Sequence, residues 1–194
     1  IGGKDWRQPV TQYFITLFFK FFPPSTLTLR LTSVVVALLS LGLLYYLSQR
    51  LFGGAWSFVV MFLYLSTPIV FIQSHMALDN IMPVPFVILW LIFILLFEKK
   101  KNKNFLILSG MALGIAFYSY KAMRLIVPVY FLLTAWYLWK IKTKKVIRSI
   151  FWFALGLAPF ILAIPFLRTS YPGAVFGGYN KYIPNWNEFL YPYF

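Results

Sequence analysis

Six long apolar stretches, joined by short polar or basic turns, constrain this chain more than anything else in it: Leu27 to Leu47, Ala55 to Ile72, Ile81 to Phe97, Phe105 to Tyr120, Leu125 to Trp139 and Val146 to Leu167. A helix that spans a bilayer needs about 20 mostly apolar residues, with a range of about 17 to 25. The stretches therefore read as membrane crossings, with the fourth and fifth at the short limit. Charged residues are 11% of the chain and hydrophobic ones 61%, against about 25% charged in a soluble domain, so water is excluded as the main solvent. Aromatic residues reach 22%, and many Trp and Tyr stand near the ends of apolar runs, where amphipathic rings favour the headgroup layer. The predicted fold is an all-α polytopic membrane protein of about six transmembrane helices.

The net charge of +14 would suggest nucleic acid in a soluble protein, but here the basic residues sit in short loops between apolar segments. They read as topological signals that also meet anionic lipid headgroups, with no nucleic-acid partner. Lys99, Lys100, Lys101 and Lys103 form one basic loop, and Lys140, Lys142, Lys144, Lys145 and Arg148 form another. Both are cytoplasmic by the positive-inside rule. Two loops on one side are joined by an even number of crossings, so residues 105–139 must go out and return, with Lys121 and Arg124 at the outer turn. Counting back puts Asp79 outside, Arg50 inside, and residues 1–26 outside. Residues 168–194 are outside as well.

The expected organisation is an outer loop and interfacial helix over 1–26, a transmembrane bundle over 27–167, and an outer segment over 168–194. In the leading segment Gln12, Thr16 and Lys20 recur every fourth position among Tyr, Phe, Ile and Leu, which predicts a helix with one narrow polar stripe lying in the outer interface. Pro9 suits its first turn, and Pro23-Pro24 stops it. The chain opens on Ile1 and stops within the aromatic run Leu190-Tyr191-Pro192-Tyr193-Phe194. We expect truncation at both ends.

Ionisable residues within or at the rim of an apolar bundle are functional candidates by default. Asp79 leads them: if the helix runs on from the preceding span, His75 and Asp79 share a face at i,i+4 spacing. A carboxylate at a helix start is also what the helix dipole favours, and His75 is equally a polar residue at the wet end of a span. Lys121 and Arg124, three apart on the side where basic residues are disfavoured, could hold a phosphate together, Arg through its fork and Lys as a point charge. Snorkelling toward headgroups would also explain them, and Arg30 at the outer start of the first span has the same two readings. With no Cys, one His and four acidic residues, no disulfide is available, no metal site is predicted and no cofactor is identifiable. Gly110 and Gly114 form a small-xxx-small pair, the pattern of close helix packing.

Four stretches together resemble a known family. Gln8-Pro9-Val10-Thr11-Gln12-Tyr13-Phe14 followed by Phe18-Phe19-Lys20-Phe21-Phe22 is similar to its Pro-Pro-Leu-Tyr helix, and Leu29-Arg30-Leu31-Thr32-Ser33 to its Arg-Leu-Pro-Ser opening of the second span. Ser66-Thr67-Pro68 through His75-Met76-Ala77-Leu78-Asp79, and Gly110-Met111-Ala112-Leu113-Gly114-Ile115-Ala116 running into Tyr118-Ser119-Tyr120-Lys121, complete the set. The order resembles the polyprenyl-phosphate-sugar-dependent membrane glycosyltransferases of the GT-C superfamily, of the dolichyl-phosphate-mannose protein mannosyltransferase and aminoarabinose transferase type. It covers most of residues 4–139. Val10 replaces the second Pro of the usual pair.

The resemblance implies sugar transfer from a polyprenyl-phosphate-linked donor to an acceptor hydroxyl on a lipid, glycan or protein, with inversion at the anomeric carbon. It implies a multi-pass enzyme of a bacterial or archaeal cell membrane with its site on the outer face. Asp79 matches the family's supporting carboxylate, and Lys121 falls where basic residues contact the donor phosphate, with Arg124 and Arg30 as further cations. Asp5 looks like the Gly-Asp-Trp position that follows the catalytic carboxylate. That carboxylate is expected upstream of Ile1, so the chain alone is expected not to turn over. The alternative is a lipid-linked-sugar translocase or another transporter. Transporters tend to place charged and broken-helix sites near the midplane, whereas these candidates crowd one rim.

Overall fold

The computed structural model describes residues 8–76, 79–141 and 145–170, the last four of these by backbone only. The described residues form helices and no strand: α1 (Pro9–Phe21), α2 (Thr26–Leu51), α3 (Trp56–Ser66), α4 (Pro68–His75), a 3₁₀ turn (Asp79–Ile81), α5 (Val84–Lys100), α6 (Lys103–Phe117), α7 (Met123–Lys140) and α8 (Val146–Ser170). Three stretches are long and apolar enough to cross a membrane, namely α2, the 3₁₀ turn with α5 (Asp79–Lys100), and α8 through Phe166. The bent pair α3 and α4 makes a fourth if it counts as one span. Each of the six expected crossings has its helix, but α6 and α7 fall outside that group. At 15 residues and about 1.5 Å per residue, α6 is only about 22 Å long, short of the roughly 30 Å of hydrocarbon in a bilayer.

The second stretch, expected as one straight span, breaks at Thr67-Pro68, and α3 and α4 meet at 62°. Pro68 has no N–H to give, and its ring drives the preceding residue out of the helical region; Thr67 has ψ 115°. The Thr67 hydroxyl donates to the Leu63 carbonyl at 2.7 Å, satisfying a backbone acceptor at the break. A second difference lies just beyond. α4 ends at His75, where Met76 turns extended at ψ 132°, so His75 and Asp79 do not share the face of a continuous helix.

α2 is inside-out by the standard of a soluble protein. Its packed face carries Thr28, Thr32, Ser33, Ser40 and Ser48, while Leu27, Leu38 and Leu39 are exposed. Small residues let backbones approach and large apolar ones face lipid, as membrane helices require. Ser40 and Ser48 donate back to carbonyls of their own helix, which hides their hydroxyls.

The main core joins α5, α6, α7 and α8 around Trp90, Leu106, Leu113, Val127, Leu138, Phe153 and Leu157. α6 and α8 touch backbone to backbone. A Cβ on Gly110 would run into the Phe153 carbonyl, and one on Gly156 into the Ile107 carbonyl, so the Gly110 and Gly114 pair serves close packing, with Gly156 as its counterpart on α8. Inside the core Trp90 Nε1 donates to Thr134 Oγ1 at 3.0 Å, and Ser109 Oγ donates to the Trp90 carbonyl at 3.1 Å.

Helix direction sorts the polar residues to opposite ends. The short link after α5 puts Lys99, Lys100, Lys101 and Lys103 at one end. Tyr137 near the end of α7 donates to Glu98 there, and the Lys103 ammonium lies over Trp152 of α8 at 4.4 Å. α6 and α7 thus run to the other end of the bundle and back, and the 118–122 turn lies at that other end together with the start of α5.

Candidate functional site

At that second end, three segments far apart in the chain meet at one residue. Pro9 opens α1 at its first turn, and Gln8 before it is extended at φ −70° and ψ 142°. Gln8 is fully buried. Its backbone N–H donates to Asp79 Oδ2 at 3.3 Å, and its side-chain Oε1 accepts from Arg124 Nη2 at 2.9 Å. Two residues on, the Val10 N–H donates to the Tyr118 carbonyl at 3.4 Å, and the Tyr118 hydroxyl donates to the Phe160 carbonyl of α8 at 2.7 Å.

The rest of α1 explains why its first turn is held so closely. Thr11 and Ile15 are buried, and Phe14 packs against Val36, Ala37, Ile81 and Met82. Gln12, Thr16 and Lys20 are exposed, so the polar stripe read from their spacing forms as expected. Tyr13, Leu17 and Phe21 are exposed as well, an apolar surface suited to lipid.

Asp79 and Arg124 therefore meet the same residue, Asp79 at its backbone N–H and Arg124 at its carboxamide oxygen. Asp79 opens the 3₁₀ turn and is half-buried; Arg124 stands in the first turn of α7, half-buried too. Lys121, also half-buried, lies in the turn between α6 and α7, where its carbonyl accepts from the Arg124 N–H at 3.3 Å. The other sequence candidates lie apart. Arg30 is exposed on α2 and makes no hydrogen bond to a described residue. His75 is exposed and folded back on α4: its Nδ1 meets the Phe71 carbonyl at 2.8 Å, and its ring lies 4.6 Å from that of Phe71. Asp5 lies outside the described residues. Among the described residues no group of three metal-ligating side chains occurs.

Beside the junction is a cavity of about 320 Å³. Its walls are Ile69, Val70 and Gln73 of α4, Tyr64 of α3, Asn80 and Ile81 after Asp79, Val84 of α5, and Tyr120 next to Lys121. The break at Pro68 brings α3 and α4 to it at an angle. Gln73 Oε1 is buried there without a hydrogen-bond partner among the described residues, a state that costs about 1–3 kcal/mol unless something polar is supplied. The cavity thus offers apolar walls with two carboxamides and two phenols, beside a carboxylate and two cations.

Sequence reasoning missed Gln8 and the cavity residues Gln73, Asn80 and Tyr120 as site components. Gln8 had one legible signal: it holds the position just before a helix, where Ser, Thr, Asp and Asn are preferred because they cap the helix, and it makes no side-chain cap. The cavity residues had none, because the cavity exists only once the α3–α4 break and the 118–122 turn are brought together.

Comparison with curated proteins and with solved structures finds no match for the chain. The family model of the dolichyl-phosphate-mannose-protein mannosyltransferases matches residues 7–168, a range that takes in Gln8, Asp79, Lys121, Arg124 and every wall of the cavity. On that match the chain, with its all-helical architecture and membrane-crossing helices, belongs to the dolichyl-phosphate-mannose-protein mannosyltransferase family of membrane glycosyltransferases.

Proposed function

We propose that the protein transfers a sugar from a polyprenyl-phosphate donor to an acceptor hydroxyl, and that the Asp79, Lys121 and Arg124 end of the bundle is its donor site on the non-cytoplasmic face. The observation that carries this reading is the junction at Gln8, which brings a carboxylate and a guanidinium from separate elements to one end of an apolar bundle. Negative charge develops on the phosphate as it leaves the sugar, and fixed cations in a dry site stabilise it there. Lys121 and Arg124 supply those cations, and the sugar occupies the adjoining cavity, where Gln73 and Asn80 meet its hydroxyls and Tyr64 and Tyr120 its apolar face. Asp79 orients, since its oxygen is already engaged by a backbone N–H. α1 lies in the interface, where a polyprenyl chain enters from lipid. The acceptor is a lipid, glycan or protein hydroxyl.

A specific observation favours one second reading. The bent α3–α4 pair is the kind of discontinuous helix that transporters use, which suits a translocase for lipid-linked sugars. A single experiment separates the two. Vesicles containing the complete enzyme are given radiolabelled polyprenyl-phosphate mannose, and both sugar transfer to acceptor and donor movement between leaflets are followed. Transfer that falls at least tenfold in Lys121→Ala, with expression unchanged, is expected from the loss of a charge-assisted contact worth about 1.5–3 kcal/mol. Movement of donor without transfer would replace the enzyme reading with the translocase one. Transfer unaffected by Lys121→Ala would remove Lys121 from the site.

A further inference from the structure

We propose that Gln8 is a positioning residue: it joins Asp79 and Arg124 through two separate polar groups and ties both to the seat of α1. This rests on the donor-site reading above. The proposal starts from how one residue uses its polar groups. An uncharged residue at a helix start ordinarily turns its side chain onto its own first turn, to satisfy one of the N–H groups there. Gln8 does not. Its N–H goes to a carboxylate 71 residues away and its Oε1 to a guanidinium 116 residues away, at complete burial.

The chemistry of the carboxamide matters here. A carboxylate at this position would neutralise Arg124 and repel Asp79. An apolar residue would take one acceptor from the guanidinium and leave Asp79 and Arg124 without the residue that joins them. The Gln8 side-chain oxygen accepts from the guanidinium and adds no charge of its own, while the Gln8 N–H donates to the carboxylate.

The contacts on either side make this a unit with α1. Val10 is bonded to Tyr118, Tyr118 to α8, and Phe14 packs against the cluster that includes Ile81 and Met82, soon after Asp79. If the first turn of α1 lifts, both Gln8 bonds break together. Gln8 Nε2 and Thr11 Oγ1 are buried there without hydrogen-bond partners among the described residues, so the turn is held by its neighbours more than by its own satisfaction.

The test uses Gln8→Met, which keeps the shape and the backbone N–H but removes the acceptor, and Gln8→Glu, which adds a charge. The first measurement is made without ligand: melting temperatures of Gln8→Met, Arg124→Met and the double variant. Shared contact predicts that the double variant loses clearly less than the sum of the singles; additive losses overturn the proposal. The second is binding of a short polyprenyl monophosphate, without sugar, to protein in neutral vesicles. Gln8→Glu should weaken it about tenfold or more, and raising the salt should narrow the gap between variant and parent. The third is turnover by the complete enzyme: Gln8→Met should lower kcat more than it raises KM, and Gln8→Asn, which retains a shorter carboxamide, should recover part of it; an unchanged kcat in Gln8→Met would overturn the role. If the unaltered protein fails to bind the phosphate, the donor-site reading falls and takes this role with it. If the unaltered protein binds and Gln8→Glu binds equally, the donor-site reading stands and the role given to Gln8 falls.

Discussion

Replacing Gly110 or Gly156 by Ala should loosen the bundle, whereas the same change at Gly42 should tighten it. A Cβ at Gly110 would meet the Phe153 carbonyl oxygen and the Leu157 nitrogen, and one at Gly156 the carbonyl, carbon and Cα of Ile107. All of these are backbone atoms of a facing helix, which cannot swing aside as a side chain can. Relief therefore requires α6 and α8 to part by about 1 Å, and a gap of that size forfeits a quarter to a half of each dispersion contact along the seam. The seam includes Leu106, Leu113, Phe153 and Leu157, all buried. Overpacking costs about 1–3 kcal/mol, here at the upper end because the obstacle is backbone, and Ala returns up to about 1 kcal/mol of helix propensity, so the net loss is about 2 kcal/mol at each site. At Gly114 the obstacle is the Phe160 ring, which can turn, and the loss should be smaller. At Gly42 nothing lies within 4 Å of the added carbon, leaving only the propensity gain of up to about 1 kcal/mol. One separation of the helices serves both sites, so Gly110→Ala with Gly156→Ala should cost less than the two changes summed. Unfolding in mixed micelles by increasing dodecyl sulfate, followed by helical circular dichroism, gives the midpoints. Midpoints for Gly110→Ala and Gly156→Ala at or above that of the parent, or a Gly42→Ala midpoint that falls with them, would refute the reasoning.

Three further outcomes are expected. Thr134→Val should lower stability by about 1–3 kcal/mol, because Trp90 Nε1 is left buried without its acceptor, while Thr134→Ser should stay near the parent; equal midpoints for Val and Ser would show that bond to be idle. Lys101 closes α5 in the left-handed region at φ 53°, which disfavours any side chain by about 1 kcal/mol, so Lys101→Gly should raise the unfolding midpoint, and a lowered midpoint would contradict the backbone assignment. Single cysteines, clean to read in a chain with no native Cys, should label with an impermeant thiol reagent at Asn80 and Ala122 and stay shielded at Lys101 in intact cells; labelling at Lys101 would reverse the sidedness proposed for the site.

Much of this architecture is legible along the chain because lipid imposes it locally. Without water a segment must satisfy its own backbone, so each apolar stretch becomes a helix whatever its neighbours do. The punctuation at Pro9 and Pro23-Pro24, and the stripe of Gln12, Thr16 and Lys20, mark α1 for the same reason: they act within one or two turns. Gly110 and Gly114 could be read as a packing face, since a small residue four positions from another leaves a groove in any helix. The partner for that groove, Gly156 and the Phe153 carbonyl, could not be read, because nothing local records which helix will fill it. Pro68 was visible as well, yet its effect depended on whether neighbours would hold the halves straight, and they hold them 62° apart. The site followed the same division. Asp79 and Arg124 stood out as charges in an apolar chain, a property of sequence alone. That Gln8 joins them across 71 and 116 residues, while Arg30 and His75 lie elsewhere, is a long-range contact. It was settled by the packing that seats α1 on the bundle end.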